Sequence, residues 1–149
     1  MKNPEKEIKE AVKDFIEVAK LASVFIKPEE LEIEYLKAPH SPPTFLPKNK
    51  MAIYGFCFEG QWLIVGMAGP KSSARYTSHH YNPKSSLSNL AKKLLKDSEM
   101  KLIIRDNPGD WIKKNCDRVN IIIDAEKGIL LLALFEAFLH VRLRPIYEK

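Results

Sequence analysis

Cysteine is almost missing from this sequence: Cys57 and Cys116 are the only two. That is too few for the disulfide framework of a small secreted domain, so both read as free, buried thiols, which suits the cytoplasm. Long apolar runs are missing as well. The longest, residues 129–139, falls short of the roughly 20 residues that cross a bilayer and is interrupted by Glu136. The opening MKNPEKEIKE is charged and has no signal-like apolar core, so nothing in it points to export. With neither staple nor anchor, the fold must rest on a buried core, and 149 residues are enough for one.

The net charge is +5, and its placement says more than its size. Residues 1–66 hold nine lysines against ten acids, and residues 106–149 hold seven bases against seven acids. Between them, residues 67–105 hold eight bases (Lys71, Arg75, Lys84, Lys92, Lys93, Lys96, Lys101 and Arg105) against Asp97 and Glu99. The whole excess therefore sits in one segment. A local basic field of this kind attracts polyanions and supplies phosphate contacts; a solvated helix face is the plainer reading of the same lysines.

Residues 4–25 have the spacing of an amphipathic helix. Ile8, Val12, Phe15, Ile16, Ala19 and Ala22 form the apolar stripe, and Pro4 suits the first turn. Leu31, Ile33 and Tyr35 alternate as an edge strand would, although Pro28-Glu29-Glu30 also opens helices. Residues 38–50 carry Pro39, Pro42, Pro43 and Pro47 and read as an extended connector; His40 lies here without an assigned role.

The chain is organised around residues 51–80. A strand at 51–58, a Glu59-Gly60 turn and a strand at 61–66 make a hairpin. Strict alternation puts Trp62, Ile64 and Gly66 on one face of the second strand, with Leu63 and Val65 on the other. Both faces of the hairpin are apolar, so layers are expected on both sides of the sheet. The loop at 67–73 leads into a helix carrying Arg75 and, one turn on, His79, with His80 beside it. A cation in the first turn of a helix opposes the helix dipole, so Arg75 makes most sense beside a phosphate or carboxylate. Further helices are expected at 87–97 and 107–115, a short strand at 101–105, a strand at 117–125 and a last helix at 129–144. That last helix is apolar nearly all round and reads as the central buried helix, with Glu136 its one acid. A buried carboxylate must be protonated, paired or metal-bound; Arg142, Arg75 or a lysine could pair it, and His140 follows one turn on.

Ala52-Ile53-Tyr54 on the first strand, Ile64-Val65-Gly66 on the second, Arg75 with His79, and Glu136 together resemble the GIY-YIG nuclease family over residues 51–149. Ala52 stands at the family's first glycine, Ile64 at its second motif tyrosine and Met67 at a frequent lysine. The resemblance implies an α+β fold: a small, mainly antiparallel three-stranded sheet flanked by helices. Residues 1–37 would add an N-terminal accessory helix and short segment, and 38–50 the connector. It also implies a metal-dependent endonuclease acting on DNA, with Tyr54, Arg75 and His79 catalytic and Mg²⁺ (or Mn²⁺) on Glu136. Lys71, Lys84, Lys92, Lys93 and Lys96 are the expected DNA contacts. Tyr76 or Tyr81 could supply a hydroxyl in place of the one missing at Ile64. Two competing readings are a nucleic-acid-binding module that has kept the scaffold without turnover and an interaction domain whose lysines are only solvated.

Overall fold

The computed structural model describes residues 2–85, 89–105 and 107–148. Helix α1 (Pro4–Leu21) opens on Asn3, whose side chain accepts the Lys6 N–H at 3.1 Å, and buries Ile8, Ala11, Val12, Phe15 and Ala19. A 3-10 turn at Pro28–Glu30 follows, then strand β1 (Glu32–Leu36). Strands β2 (Lys50–Phe58) and β3 (Gln61–Ala68) form the hairpin. Its turn places Glu59 at φ 50° and Gly60 at φ 77°, the two positive values that a two-residue type I′ connection requires. Helices α2 (Ser73–Thr77), α3 (Leu90–Lys96), α4 (Ser98–Ile104) and α5 (Pro108–Asn115) come next, then β4 (Asp117–Asp124) and α6 (Ile129–Leu143).

The sheet has four antiparallel strands in the order β1-β4-β2-β3, not three. β1 is the added strand: both edges of β4 carry backbone N–H and C=O groups that need partners, and β1 satisfies the edge that β2 leaves open. Residues 32–36 therefore belong to the same sheet as the hairpin. α1 shares a core with α6 through Phe15 and Phe135, whose rings stack at 4.0 Å. That core covers one face of the sheet and takes Met51, Ile53, Cys57, Trp62, Val65, Val119, Ile121 and Ile123. The other face takes Ala52, Tyr54, Phe56, Leu63 and Ile64 beneath α2, α3, α4 and α5. Among the described residues no helix is long and apolar enough to cross a membrane.

Other expectations need correction. The register between β2 and β3 passes from Phe56↔Ile64 to Cys57↔Trp62, so Leu63 is a bulge. Trp62 then shares a face with Val65, and the alternation expected for β3 breaks. Residues 101–104 are helical and Arg105 ends the helix at φ 63°, because Asp97 Oδ1 accepts from the N–H of Glu99 (3.1 Å) and of Met100 (3.3 Å) and starts α4 ahead of them. The expected start of α3 at Leu87 lies outside the described residues. Nor is α6 buried all round: Leu131, Leu132, Phe135, Leu139 and Leu143 face the core, while Leu130 (83 %) and Val141 (74 %) are exposed. The helix covers one sheet face beside α1, and only its inner stripe meets that face.

Gly66 lies opposite Tyr54 in the β2–β3 register. A Cβ there would fall 2.7 Å from the Tyr54 hydroxyl and 2.8 Å from Cζ, whereas one at Gly69 would meet Ile129 Cδ1 at 3.5 Å and Ser72 Oγ at 4.0 Å, both ordinary contacts. Gly66→Ala is expected to destabilise the protein by about 1–3 kcal/mol in urea denaturation, as overpacking does, and Gly69→Ala to stay within about 0.5 kcal/mol.

Candidate active site

A cleft of about 140 Å³ lies against β3, where α2, the turn after it, α3, α6 and the C-terminal segment converge. β3 contributes Ile64, Val65 and Gly66 to its wall. Arg75 comes from α2, His80 from a 3-10 turn at His79–Tyr81, Asn89 and Lys93 from the start and middle of α3, Glu136 from α6, and Glu148 from the tail. A larger hollow of about 390 Å³ runs along α1, but it is lined only by the solvated charges and Asn3 of that helix face. The small cleft joins two cations, two carboxylates and an imidazole, whereas a more open hollow of about 610 Å³ at the end of α6 holds only Arg144, Glu148 and His140 as its ionisable groups.

Most of the polar side chains are held from behind. Arg75 Nε donates to the Met67 carbonyl at 3.1 Å, which ties the guanidinium to the residue just after Gly66. Lys93 Nζ donates to the Tyr147 carbonyl at 3.2 Å. The tail lies along the free edge of β3: Ile146 N–H donates to Trp62 O (3.0 Å), Tyr147 N–H to Leu63 O (3.1 Å), and Val65 N–H to Glu148 Oε1 (3.1 Å). His140 Nε2 sits 2.6 Å from the Val65 carbonyl and 3.0 Å from Glu148 Oε2, so it is a shared N–H donor.

Glu136 is half-buried and makes no hydrogen bond or ion pair to another described residue. Burial raises its pKa above the usual carboxylate value; His140 and Arg75 pull it down, and Glu148 pushes it up. An unengaged carboxylate beside a second acid is a place where a divalent cation fits. Among the described residues no three His, Cys, Asp or Glu side chains form a ready-made cage. Mg²⁺ suits such a site, since it is held by one or two carboxylates and completes its shell with water and phosphate oxygens.

His80 and Tyr54 form a buried pair. The Leu90 N–H donates to His80 Nδ1 at 3.2 Å, so the ring proton is on Nε2, which donates to the Tyr54 oxygen at 2.7 Å. Burial, then the positive fields of His79, Arg75, Arg118 and Lys93, lower the His80 pKa to about 2, so the imidazole is neutral at pH 7. The Tyr54 phenol is pushed up to about 12 by burial, against the pull of Arg75 and Arg118. Tyr54 is fully buried and meets the cleft through His80 rather than lining it.

Of the residues expected from the sequence, Arg75, Glu136 and Lys93 meet in the cleft. His79 does not line it. α2 stops at Thr77, and the tighter turn that follows swings His80 inward while the half-buried His79 ring packs edge-on against it at 5.1 Å. Lys71, Lys84 and Lys96 are exposed and do not line the cleft, and half-buried Lys92, also outside it, directs Nζ to the Ser85 carbonyl. Ile64 lines the wall where the second motif tyrosine was sought, and neither Tyr76 nor Tyr81 replaces it, since both turn inward toward Arg118. Asn89 escaped sequence reading as a site residue, yet its place before an apolar helical stripe is a cap signal, and it does cap α3 by accepting the Lys92 N–H at 2.9 Å. Glu148 carries no such signal.

No family model, curated protein or solved structure matches the chain.

The His80 shift has a consequence in acid. Its ordinary value is 6.5 and its folded value about 2, so between them the unfolded chain binds a proton that the folded protein refuses. The stability tied to neutral His80 is complete above the ordinary value and is lost as pH falls below it. From pH 6.5 to 4.5 this one group costs about 2–3 kcal/mol. Glu136, with its raised pKa, works the other way and is relieved in acid. Urea midpoints measured against pH are expected to fall less steeply for His80→Gln than for the wild type over that range, because Glu136 contributes equally to both.

Proposed function

We propose that the protein is a metal-dependent endonuclease that hydrolyses DNA phosphodiester bonds in this cleft. The observation that carries the reading is the meeting of Arg75 and Lys93 with an unengaged Glu136 and the neutral His80–Tyr54 pair in a space that admits little more than one phosphate group. These are the parts a phosphoryl transfer needs: cations for the charge, a carboxylate for a cation, and a hydrogen-bonding pair for the attacking water.

Arg75, positioned by the Met67 carbonyl, stabilises the negative charge that develops on the phosphate oxygens. Lys93 fixes the phosphodiester as a point charge. Glu136 would hold Mg²⁺ or Mn²⁺, and such an ion would supply Lewis-acid stabilisation of charge on the phosphate and the leaving oxygen. As the phenolate, which His80 Nε2–H stabilises, Tyr54 takes the proton of the attacking water and returns to the neutral phenol. His79, outside the cleft, packs on His80 and is not assigned a step. Lys71, Lys84, Lys92 and Lys96 extend the phosphate contacts beyond the cleft. A cytoplasmic protein with free, buried Cys57 and Cys116 is part of the same reading.

One observation favours a second reading, a DNA-binding module without turnover. Ile64 gives the β3 wall an apolar side chain where the resembling family has a hydroxyl, and the Tyr54 phenol reaches the cleft only through His80.

Cleavage of supercoiled plasmid separates the two. With Mg²⁺ or Mn²⁺ nicking is expected, and with EDTA none. Glu136→Ala and Arg75→Ala are each expected to lower the rate by about 100-fold or more. Lys93→Ala is expected to weaken binding evenly across DNA sequences and to reduce the salt slope by about 1. Salt-sensitive DNA retention with no metal-dependent product would leave the binding module in place of the nuclease.

A further inference from the structure

Arg118 is the largest fully buried side chain and has a role that neither the motifs nor the cleft accounts for. It lies on β4 opposite Phe56, two residues from Asn120, which lies opposite Tyr54. Its guanidinium carbon is 5.1 Å from the ring centres of Phe56 and Tyr76, 5.3 Å from that of Tyr54 and 5.9 Å from that of Tyr81. Nε donates to Asn120 Oδ1 (2.7 Å), one terminal nitrogen to the Tyr81 hydroxyl (3.1 Å) and the other to the Tyr76 carbonyl (2.6 Å).

No ion pair joins Arg118 to a carboxylate among the described residues. Glu34 is reached only through Asn120 Nδ2, at 2.9 Å. A buried cation kept without a contacting anion is costly, and apolar side chains of similar volume commonly replace buried ionic groups without loss of stability. The charge is instead directed at aromatic faces, to which a guanidinium is well suited. One of those faces is Tyr54, whose hydroxyl rests on His80 and whose ring already fills the space above Gly66.

We propose that Arg118 is a positioning residue for the Tyr54–His80 pair: it holds the Tyr54 ring by its face so that the hydroxyl stays on His80 Nε2 at the back of the cleft. The catalytic value of that placement rests on the nuclease reading; the placement itself does not. The same charge favours the anionic form of Tyr54 and the neutral form of His80. On Tyr54, Arg75 from α2 acts in the same direction while Glu136 from α6 and Glu148 from the tail oppose it; on His80, His79, Arg75 and Lys93 act with it.

The test uses the full chain, labelled with ¹⁵N-histidine, as wild type, Arg118→Met and Arg118→Lys, with Tyr54→Phe identifying the His80 signal that depends on the hydroxyl. The wild type is expected to show a slowly exchanging His80 Nε2–H proton. Arg118→Met is expected to lose that protection and to lower kcat about 100-fold at unchanged KM, the cost of a misplaced reacting group. Arg118→Lys, which keeps the charge but not the fork, is expected to recover part of both. If Arg118→Met does not fold, Arg118→Lys is read alone. Variants that melt earlier yet keep the His80 proton and the wild-type kcat would overturn the proposal and leave Arg118 a packing residue. If the wild type cleaves nothing, the nuclease reading falls, and the His80 proton alone decides the placement: its loss in the variants supports it, its persistence overturns it.

Discussion

The guanidinium of Arg118 ties together more of this molecule than any other polar group described. From β4 it reaches the last turn of α2 through the Tyr76 carbonyl and the following 3-10 turn through the Tyr81 hydroxyl. Tyr81 donates in turn to His40 Nε2 at 2.7 Å, because His40 Nδ1 must give its proton to the Cys116 carbonyl. That relay fastens the proline-rich connector to the helical layer. Through Asn120 the same side chain reaches Glu34 on β1. Five segments from three separate stretches of the sequence are thus linked, directly or through one further side chain, to one cation, and an unsatisfied donor at any of its bonds would be costly at this depth.

The cleft follows from this anchoring together with two local constraints. Gly66 leaves the space that the Tyr54 ring occupies, so the phenol lies flat against β3 instead of being pushed toward the helices. α2 is only five residues long, so Arg75 and His80 come to one place from two different kinds of turn rather than from one helix face. The tail then closes the edge of β3, where unpaired backbone groups would otherwise be exposed, and brings Glu148 to the cleft as it does so.

Electrostatically the cleft is mixed rather than simply basic. Arg75 and Lys93 face Glu136 and Glu148 across a small volume, and His80 stays neutral between them. Such a site favours a ligand that brings both signs, an anionic group accompanied by a cation, over a bare polyanion. The lysines outside the cleft add a longer-ranged positive field.

Much of the framework was decided by the sequence alone. The apolar stripe of α1, the hairpin with its Glu59-Gly60 turn and the two-faced sheet rest on period and spacing, which short-range physics enforces; Arg75 and Glu136 were singled out largely by the family resemblance. Other features needed the tertiary structure. The bulge at Leu63 and the pairing of β1 with β4 depend on what lies across the sheet, which no local pattern encodes. The exchange of His80 for His79 turns on where α2 stops, a matter of one residue. Arg118 and Asn120 do alternate with Val119, Ile121 and Ile123 in the sequence, so a polar face was visible on β4. That this face is buried became apparent only when the aromatic rings of β2, α2 and the turn were seen to close over it. Charge burial is a property of the assembled layers and not of any segment.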